Sequence, residues 1–199
     1  EAVRHADNNG FLPIHAACGR QSPEFCRVLI EAYPGSERIA DAIGTLPLHY
    51  ACSYGTVAVV EYLYKLYPDA INHETEDGRC AIHAAIFTDH LAAAVDVVKF
   101  LLDCDPNVKL QKYRGIFSLL HVACVEDYND SNIEAGIQII KVIYDAHPEA
   151  IDDNEITSNI HRYHHQVQTF INGQLVYSRQ ARNPRLMMIP NEKGLLPLH

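Results

Sequence analysis

Histidine is the residue type in this 199-residue chain that most directly suggests chemistry, because imidazole can bind a metal, transfer a proton or bond a backbone group. Of the 12 histidines, five recur at a fixed place in a repeated motif: His15, His49, His83, His121 and His199. A repeat position accounts for a histidine without catalysis. We predict that these five have a structural role, bonding backbone groups near helix starts.

Three further histidines, His161, His164 and His165, cluster in one polar segment. Their spacing would place two imidazoles on one face of a helix, as in some zinc sites. Zinc needs a third or fourth ligand, however, and no cysteine lies in this segment. We therefore predict a polar segment and no metal site.

Asp127, Asn129 and Ser131 match the first three ligand positions of a calcium-binding loop. The match ends there, because the sixth position holds Asn132 instead of glycine and the twelfth holds Gln138 instead of a bidentate glutamate. The same stretch predicts instead a connector whose S-x-x-E motif, starting at Ser131, caps the next helix.

Signatures of catalysis are missing elsewhere in the sequence. It contains no glycine-rich phosphate loop, no nucleophile elbow and no paired-carboxylate motif. We predict a binding module that is not an enzyme and needs no cofactor. The weaker alternative is an enzyme that uses the thiol of Cys52 or the imidazole of His49.

Six cysteines are present, and Cys18, Cys52 and Cys124 each follow a motif histidine by three residues. That position suits a small apolar side chain, as which a buried free thiol behaves. One such cysteine per repeat keeps these thiols about one repeat apart. The pattern predicts a reducing, intracellular environment, and we expect the cytoplasm, with the nucleus as the alternative.

One nine-residue motif organises the chain. G-T-L-P-L-H-Y-A-C, starting at Gly44, recurs as G-F-L-P-I-H-A-A-C and as G-R-C-A-I-H-A-A-I, and two looser or partial copies follow. The first three copies are 34 residues apart, which predicts stacked repeats. The signature positions are Gly10, His15, Gly44, Pro47, His49, Gly78, His83, Gly115, His121, Gly194 and His199.

The motif spacing divides a single domain, residues 1–199, into units. We expect the tail of a preceding unit at 1–9, four units at 10–43, 44–77, 78–114 and 115–193, and the start of a fifth unit at 194–199. Each unit should hold two helices, such as Pro47–Tyr54 and Val57–Tyr67 in the second. The connector between the two helices is longer by four residues in the third unit and by eight in the fourth. We expect the array to continue past both ends.

The largest interruption, about residues 155–190, lies between the fourth and fifth units. Its alternating stretch V-Q-T-F-I-N-G-Q-L-V-Y-S surrounds Asn172-Gly173, which predicts an inserted β-hairpin finger. The stretch from 156 to 190 contains four arginines and no acidic residue. Its candidate contacts to an acidic protein or nucleic acid are Arg162, Tyr163, Phe170, Tyr177, Arg179 and Arg182.

The pattern G-x-x-P-L-H-x-A, followed by G-T-V-A-V-V-E-Y-L at Gly55–Leu63, resembles the ankyrin repeat over the chain outside this insertion. The resemblance implies an all-α helical solenoid of helix-turn-helix units with hairpin fingers and a concave binding face. The family's capping threonine is replaced here by five residues, of which only Ser118 can cap a helix: Leu12, Leu46, Cys80, Ser118 and Leu196.

We therefore expect a protein partner to bind at the fingers and at the exposed ends of the first helices. The candidate residues are Asn9, Phe11, Arg20, Ile43, Thr45, Ser53, Tyr54, Asp77, Arg79, Phe87, Arg114, Ile116, Val125 and Glu126. Among them we expect Tyr54 and Phe87 to be exposed anchors, because aromatic residues dominate interface hot spots. An alternative is a regulatory array within a larger enzyme or channel.

Net charge and hydropathy narrow the class of partner. A formal net charge of −9 argues against a general nucleic-acid binder. No apolar run approaches the roughly 18 residues that a membrane-spanning helix needs. We expect a monomer that binds protein.

Overall fold

The structure is a computed structural model that describes the backbone of residues 2–182 and side chains as far as residue 178. Ten α-helices account for most of this part of the chain. They are α1 Pro13–Cys18, α2 Pro23–Ala32, α3 Pro47–Tyr54, α4 Val57–Leu66, α5 Ala81–Ile86, α6 Leu91–Cys104, α7 Leu119–Val125, α8 Ile133–Ala146, α9 Asn154–Asn159 and α10 His165–Arg182.

The helices form two parallel rows. The odd-numbered helices α1 to α9 contact one another in sequence, and the even-numbered helices α2 to α10 do the same. Short 3-10 turns lead from one unit to the next, as at Ser36–Arg38 and Pro68–Asn72. The predicted all-α solenoid is therefore confirmed.

Proline and serine set several of the helix starts. Pro13 and Pro47 occupy the first positions of α1 and α3, where a missing N–H costs no hydrogen bond. The Ser22 Oγ accepts from the Phe25 N–H at 3.4 Å and caps α2, which ends at Ala32, just before Tyr33-Pro34.

The core is a continuous apolar layer between the two rows. In the second unit it includes four side chains from α3 and α4, all of them buried: Leu48, Ala51, Val60 and Leu63. Because each unit buries its apolar faces against its neighbours, stability is shared along the stack.

Tight turns form the fingers between units. Gly44 adopts φ +79°, and a Cβ there would meet the backbone of Thr75 and Glu76 in the next finger. Neighbouring fingers are joined by backbone bonds, such as Glu76 N–H to the Ile43 carbonyl at 3.0 Å. Counted from the finger at Gly10, only the fourth finger among the described residues is a two-stranded sheet, with β1 Lys112–Tyr113 antiparallel to β2 Phe117–Ser118.

The predicted hairpin in the insertion is wrong over the residues that the structure describes. Asn172 and Gly173 lie inside α10, and residues 183–190 lie outside the described range. The apolar residues Val167, Ile171 and Leu175 recur every four residues and are all buried. Burial of this helical stripe outweighs the local Asn-Gly turn preference, and α9 with α10 adds a fifth helix pair.

The connector before α8 also differs from its prediction. The helix spans Ile133–Ala146 as expected, but its N-cap is Asn132, and the Ser131 hydroxyl bonds the Asn129 side chain. The expected capping box is therefore absent. Instead, Tyr128 is buried over Gly136 and donates to the Ala123 carbonyl at 2.6 Å, which anchors the connector.

Candidate functional site

The signature histidines bond the backbone at the helix starts. Leu12 is the N-cap residue of α1, and its N–H donates to His15 Nδ1 at 2.9 Å. His15 Nε2 lies 3.0 Å from the Ile39 carbonyl, and His49 repeats both contacts with Leu46 and His73. Burial holds the pKa of His49 at about 4, against the effect of the His73 carbonyl. In both rings Nδ1 accepts from a backbone N–H at a helix start, so each imidazole is neutral.

His83 and His121 are variations on this arrangement. His83 Nδ1 accepts from the Cys80 N–H at 3.0 Å, but its buried Nε2 makes no hydrogen bond within the described residues. Ser118 caps α7, accepting from the His121 N–H at 3.3 Å, as predicted. His121 Nδ1 lies 3.3 Å from the Tyr163 hydroxyl. His199 lies outside the described residues.

A groove of about 550 Å³ opens between the first finger and the ends of α1 and α3. We call it the first groove. It is lined by Phe11, His15, Ala16, Gly19, Arg20, Tyr50, Tyr54 and His90. Three of these, Phe11, Arg20 and Tyr54, are among the predicted contact residues. The structure therefore brings together candidates that are up to 43 residues apart in sequence.

Aromatic rings build one wall of the first groove. Phe11 stacks on His15 with centroids 5.2 Å apart, and Tyr50 meets Phe11 edge-on at 5.1 Å. The Tyr50 hydroxyl donates to Asp41 at 2.7 Å, and the same carboxylate accepts from the N–H groups of Ile43 and Thr45. Burial raises the pKa of Asp41, but these bonds outweigh it and hold the pKa below its usual value. The wall is therefore fixed to the second finger.

The opposite rim is more open. Tyr54 ends α3 with 55% of its surface exposed, and its ring meets the exposed His90 edge-on at 6.4 Å. A Cβ at Gly19 would lie 3.0 Å from the Tyr54 Cβ, so a larger residue at 19 would crowd the groove. Arg20, beside Gly19, is exposed and forms no ion pair among the described side chains.

Phe87 differs from its predicted role as an exposed anchor. The Arg79 guanidinium lies over its ring at 5.0 Å, and Tyr113 meets it edge-on at 5.2 Å. Arg79 in turn pairs with Asp77 at 2.8 Å. Phe87 is therefore only partly exposed, because the finger residues of its own and the next unit cover it.

A second groove, of about 470 Å³, lies at the other end of the described stack, between α7 and α9. Its lining residues are Phe117, His121, Val125, Glu155, Asn159, Arg162 and Tyr163. Phe117 stacks on His121 at 5.1 Å, as Phe11 does on His15, and Tyr163 takes the place of Tyr50. Both grooves are lined by one guanidinium, that of Arg162 here and that of Arg20 in the first groove. Only the second groove is also lined by a carboxylate, that of Glu155.

The remaining predicted contacts are dispersed. At the finger tips, the side chains of Asn9, Ile43, Asp77, Arg114 and Ile116 are exposed, and Thr45 is partly buried. The Ser53 Oγ donates to the Ala84 carbonyl at 3.0 Å and links α3 to α5. Glu126 is partly buried, and burial raises its pKa to about 6 although the nearby Arg79 opposes the shift.

The insertion does not present the aromatic surface expected of it. Tyr163 is only 5% exposed, and Phe170 packs edge-on against Tyr144 at 5.8 Å. Arg162 and Tyr177 are exposed. Arg179 and Arg182 lie in α10, with side chains outside the described range. Packing of this segment against the stack buries Tyr163 and partly buries Phe170, which weakens the proposed acidic-partner finger.

Neither metal candidate forms a site in the structure. The rings of His164 and His165 lie 4.4 Å apart, but over residues 2–182 no three histidine, cysteine, aspartate or glutamate side chains are grouped to hold a metal ion. The same part of the chain contains no helix of the length and hydropathy that spanning a bilayer requires.

Sequence reasoning missed several lining residues of the first groove. Tyr50 follows a motif histidine at a place where the other units have Ala16, Ala84 and Val122. The signal in the sequence was therefore Tyr50 itself, a bulky residue at a repeat position where the other units have smaller side chains. His90 lies in the lengthened connector of the third unit. The motif spacing showed that this connector is longer, but it did not show that the connector reaches the first groove.

Comparison with known proteins agrees with the architecture. A family model described as ankyrin repeats (3 copies) matches residues 1–72 and 40–111, together more than half of the chain. A search of curated proteins found no match.

Proposed function

The chain belongs to the ankyrin-repeat family, and we propose that it binds a protein partner through the first groove. Ankyrin repeats are generally protein–protein interaction modules and are typically not enzymes. The observation that carries the proposal is the half-exposed Tyr54 beside a floor of Ala16 and Gly19. An aromatic side chain next to small residues can enclose a partner side chain and exclude water.

Charge indicates what kind of segment the groove fits. Its lining includes Arg20 and His90 at the rim and no acidic residue, although the whole chain has a net charge of −9. The nearby carboxylates of Asp7 and Asp41 already accept hydrogen bonds from their own turns. We infer that the partner presents a short segment with one bulky apolar side chain beside a carboxylate.

Selection from a random peptide library on the unchanged protein tests this proposal. The selected peptides should share an apolar residue next to an acidic one. Tyr54→Ala and Arg20→Glu should each weaken binding by about tenfold or more, because they remove the aromatic wall and reverse the rim charge. Binding is measured by titration calorimetry or fluorescence anisotropy.

Tyr177→Ala is the matched control, because Tyr177 is 62% exposed but lies on α10, away from both grooves. It should leave affinity unchanged. If the selected peptides bind Tyr54→Ala and Arg20→Glu as tightly as the unchanged protein, the first groove is not the binding site.

A further inference from the structure

Two buried thiols face each other in the first unit. Cys18 is the last residue of α1, Cys26 lies in α2, and their sulfur atoms are 4.0 Å apart. Both side chains are fully buried, and both cysteines are free. Five of the six cysteines are buried, but among the described residues only Cys18 and Cys26 bring their sulfur atoms into contact.

Packing alone does not require the second thiol. The position opposite the motif cysteine is Val60 in the second unit, Val98 in the third and Ile140 in the fourth, and all three are fully buried. A branched aliphatic side chain therefore satisfies the interface between the two helices of a unit. The first unit departs from this pattern by placing Cys26 opposite Cys18.

We propose that Cys18 and Cys26 form a reversible disulfide when the protein meets hydrogen peroxide. A disulfide has a sulfur–sulfur distance of about 2 Å, so the sulfurs must approach by about 2 Å from their reduced separation. Cys18 ends its helix beside Gly19 in a short turn, where side-chain rotation and a small helix shift can close that gap. In a reducing compartment such a disulfide is short-lived, and its formation indicates that the protein has been exposed to an oxidant.

The pair has a defined order of reaction. The hydrogen bond between the two thiols lowers the pKa of Cys26 although burial opposes the shift, so Cys26 ionises first. Its thiolate attacks one peroxide oxygen, the O–O bond breaks, and Cys26 becomes a sulfenic acid as one water leaves. The Cys18 sulfur then attacks the Cys26 sulfur, forming the disulfide and releasing a second water. Two thiols lose two electrons and two protons, and one peroxide becomes two waters.

Peptide mass spectrometry of the whole chain tests the bond directly. The reduced protein is treated with hydrogen peroxide, alkylated under denaturing conditions and digested with trypsin without reductant. Cleavage after Arg4, Arg20 and Arg27 separates Cys18, in residues 5–20, from Cys26, in residues 21–27. The two peptides should be recovered joined, two hydrogen atoms lighter than their sum, and dithiothreitol should separate them.

Two variants serve as controls. Cys26→Val reproduces the Cys52–Val60 pairing of the second unit, so it should keep the fold, shown by an unchanged circular dichroism spectrum, and yield no joined peptide. Cys52→Ala removes a buried thiol that has no such partner and should leave the Cys18–Cys26 link intact.

The proposal is overturned if peptides 5–20 and 21–27 remain separate at a peroxide dose that oxidises the partly exposed Cys104. It is also overturned if Cys18 or Cys26 is recovered as sulfinic acid or joined to another cysteine. The readout needs no binding partner, so its failure is independent of what the first groove binds.

Discussion

At the residue scale, the signature histidines of α1 and α3 accept from the N–H of the N-cap leucine, which is the half of a capping box that the residue at N3 provides. The His49 Nδ1 accepts from the Leu46 N–H at 3.2 Å, and Nε2 lies 3.2 Å from the His73 carbonyl. One imidazole therefore joins a helix start to the turn that precedes the next unit. This use requires the neutral ring with its proton on Nε2, because a protonated Nδ1 cannot accept.

We predict that His49→Ala destabilises the fold by about 3 kcal/mol, since it leaves a cavity and two buried backbone groups without partners. Urea unfolding followed by circular dichroism measures the change. His90→Ala is the control, because His90 is exposed, and it should shift the free energy of unfolding by less than about 0.5 kcal/mol. Equal midpoints for His49→Ala and the unchanged protein would show that the imidazole bridge adds no stability.

The structural role of a residue could be predicted from the sequence where the residue occupies a fixed position in the repeat. It could not be predicted where the role depends on contacts with a neighbouring unit. The role of His15 and the cap at Ser118 both follow from the register. The covering of Phe87 by Arg79 and Tyr113 depends on how two fingers approach each other. Nothing in the local sequence of Phe87 specifies that contact.

At the element scale, α10 shows how tertiary burial overrides a turn signal. Asn172-Gly173 favours a hairpin locally, but the helix buries Val167, Ile171 and Leu175. Each fully buried aliphatic side chain contributes about 1.5–3 kcal/mol, whereas glycine within a helix costs about 1 kcal/mol. The sequence contained both patterns, and the packing of α10 against α8 and against the turn Pro148–Asp152 decides between them.

Gly173→Ala separates these two conformations. In α10 an added Cβ at Gly173 meets no atom within 4 Å, so alanine should stabilise the protein by up to about 1 kcal/mol. In a type I′ hairpin the same position needs positive φ, and alanine would destabilise it. Thermal unfolding distinguishes the two conformations. A higher midpoint for Gly173→Ala than for the unchanged protein supports the helix, and a lower midpoint would refute it.

Gly136 is a second glycine within a helix, and there we expect alanine to have the opposite effect, because Tyr128 from the connector before α8 packs over it. A Cβ at Gly136 would overlap the Tyr128 ring, so Gly136→Ala should cost about 2 kcal/mol despite the better helix propensity of alanine. In a Tyr128→Ala background the clash is gone, and Gly136→Ala should become neutral or stabilising. Urea unfolding of the four proteins forms a double-mutant cycle, and additive effects would contradict the contact.

At the scale of the whole molecule, the motif spacing predicted the stack and the places where it is lengthened. It did not predict that the insertion adds a fifth helix pair, because α9 and α10 lack the motif. Nor did it locate the first groove, most of which lies between two units of regular spacing. That groove depends on Tyr50 and Tyr54 of one unit meeting Phe11 and Gly19 of another, which is a property of stacking.

Stacking also gives the whole molecule a pH dependence. Burial lowers the pKa of His15, His49, His83 and His121, to about 4 for His49 and for His83. Unfolded histidine titrates near 6.5, so the unfolded chain binds more protons below that pH. The stabilisation is therefore complete above about pH 6.5 and is lost as the pH falls toward 4.

Protonation of Glu126 stabilises the folded protein over part of this pH range, which opposes the effect of the histidines. Its pKa is raised to about 6, so the folded protein takes up a proton that the unfolded chain takes up only at lower pH. Between pH 7 and 5 this adds at most about 1 kcal/mol, and less because the side chain is partly exposed. Over the same interval His49 and His83 together lose about 4 kcal/mol. The histidines therefore outweigh the glutamate.

We expect the free energy of unfolding to fall by about 3 kcal/mol between pH 7 and pH 5, measured by urea titration at fixed ionic strength. A His49→Gln variant, whose side chain does not titrate, should lose only about 1 kcal/mol over the same interval, whatever its starting stability. His90→Gln, which changes an exposed histidine, should keep the full slope. A stability that is flat from pH 7 to 5, or an unaltered slope in His49→Gln, would show that protonation of the buried histidines does not control unfolding.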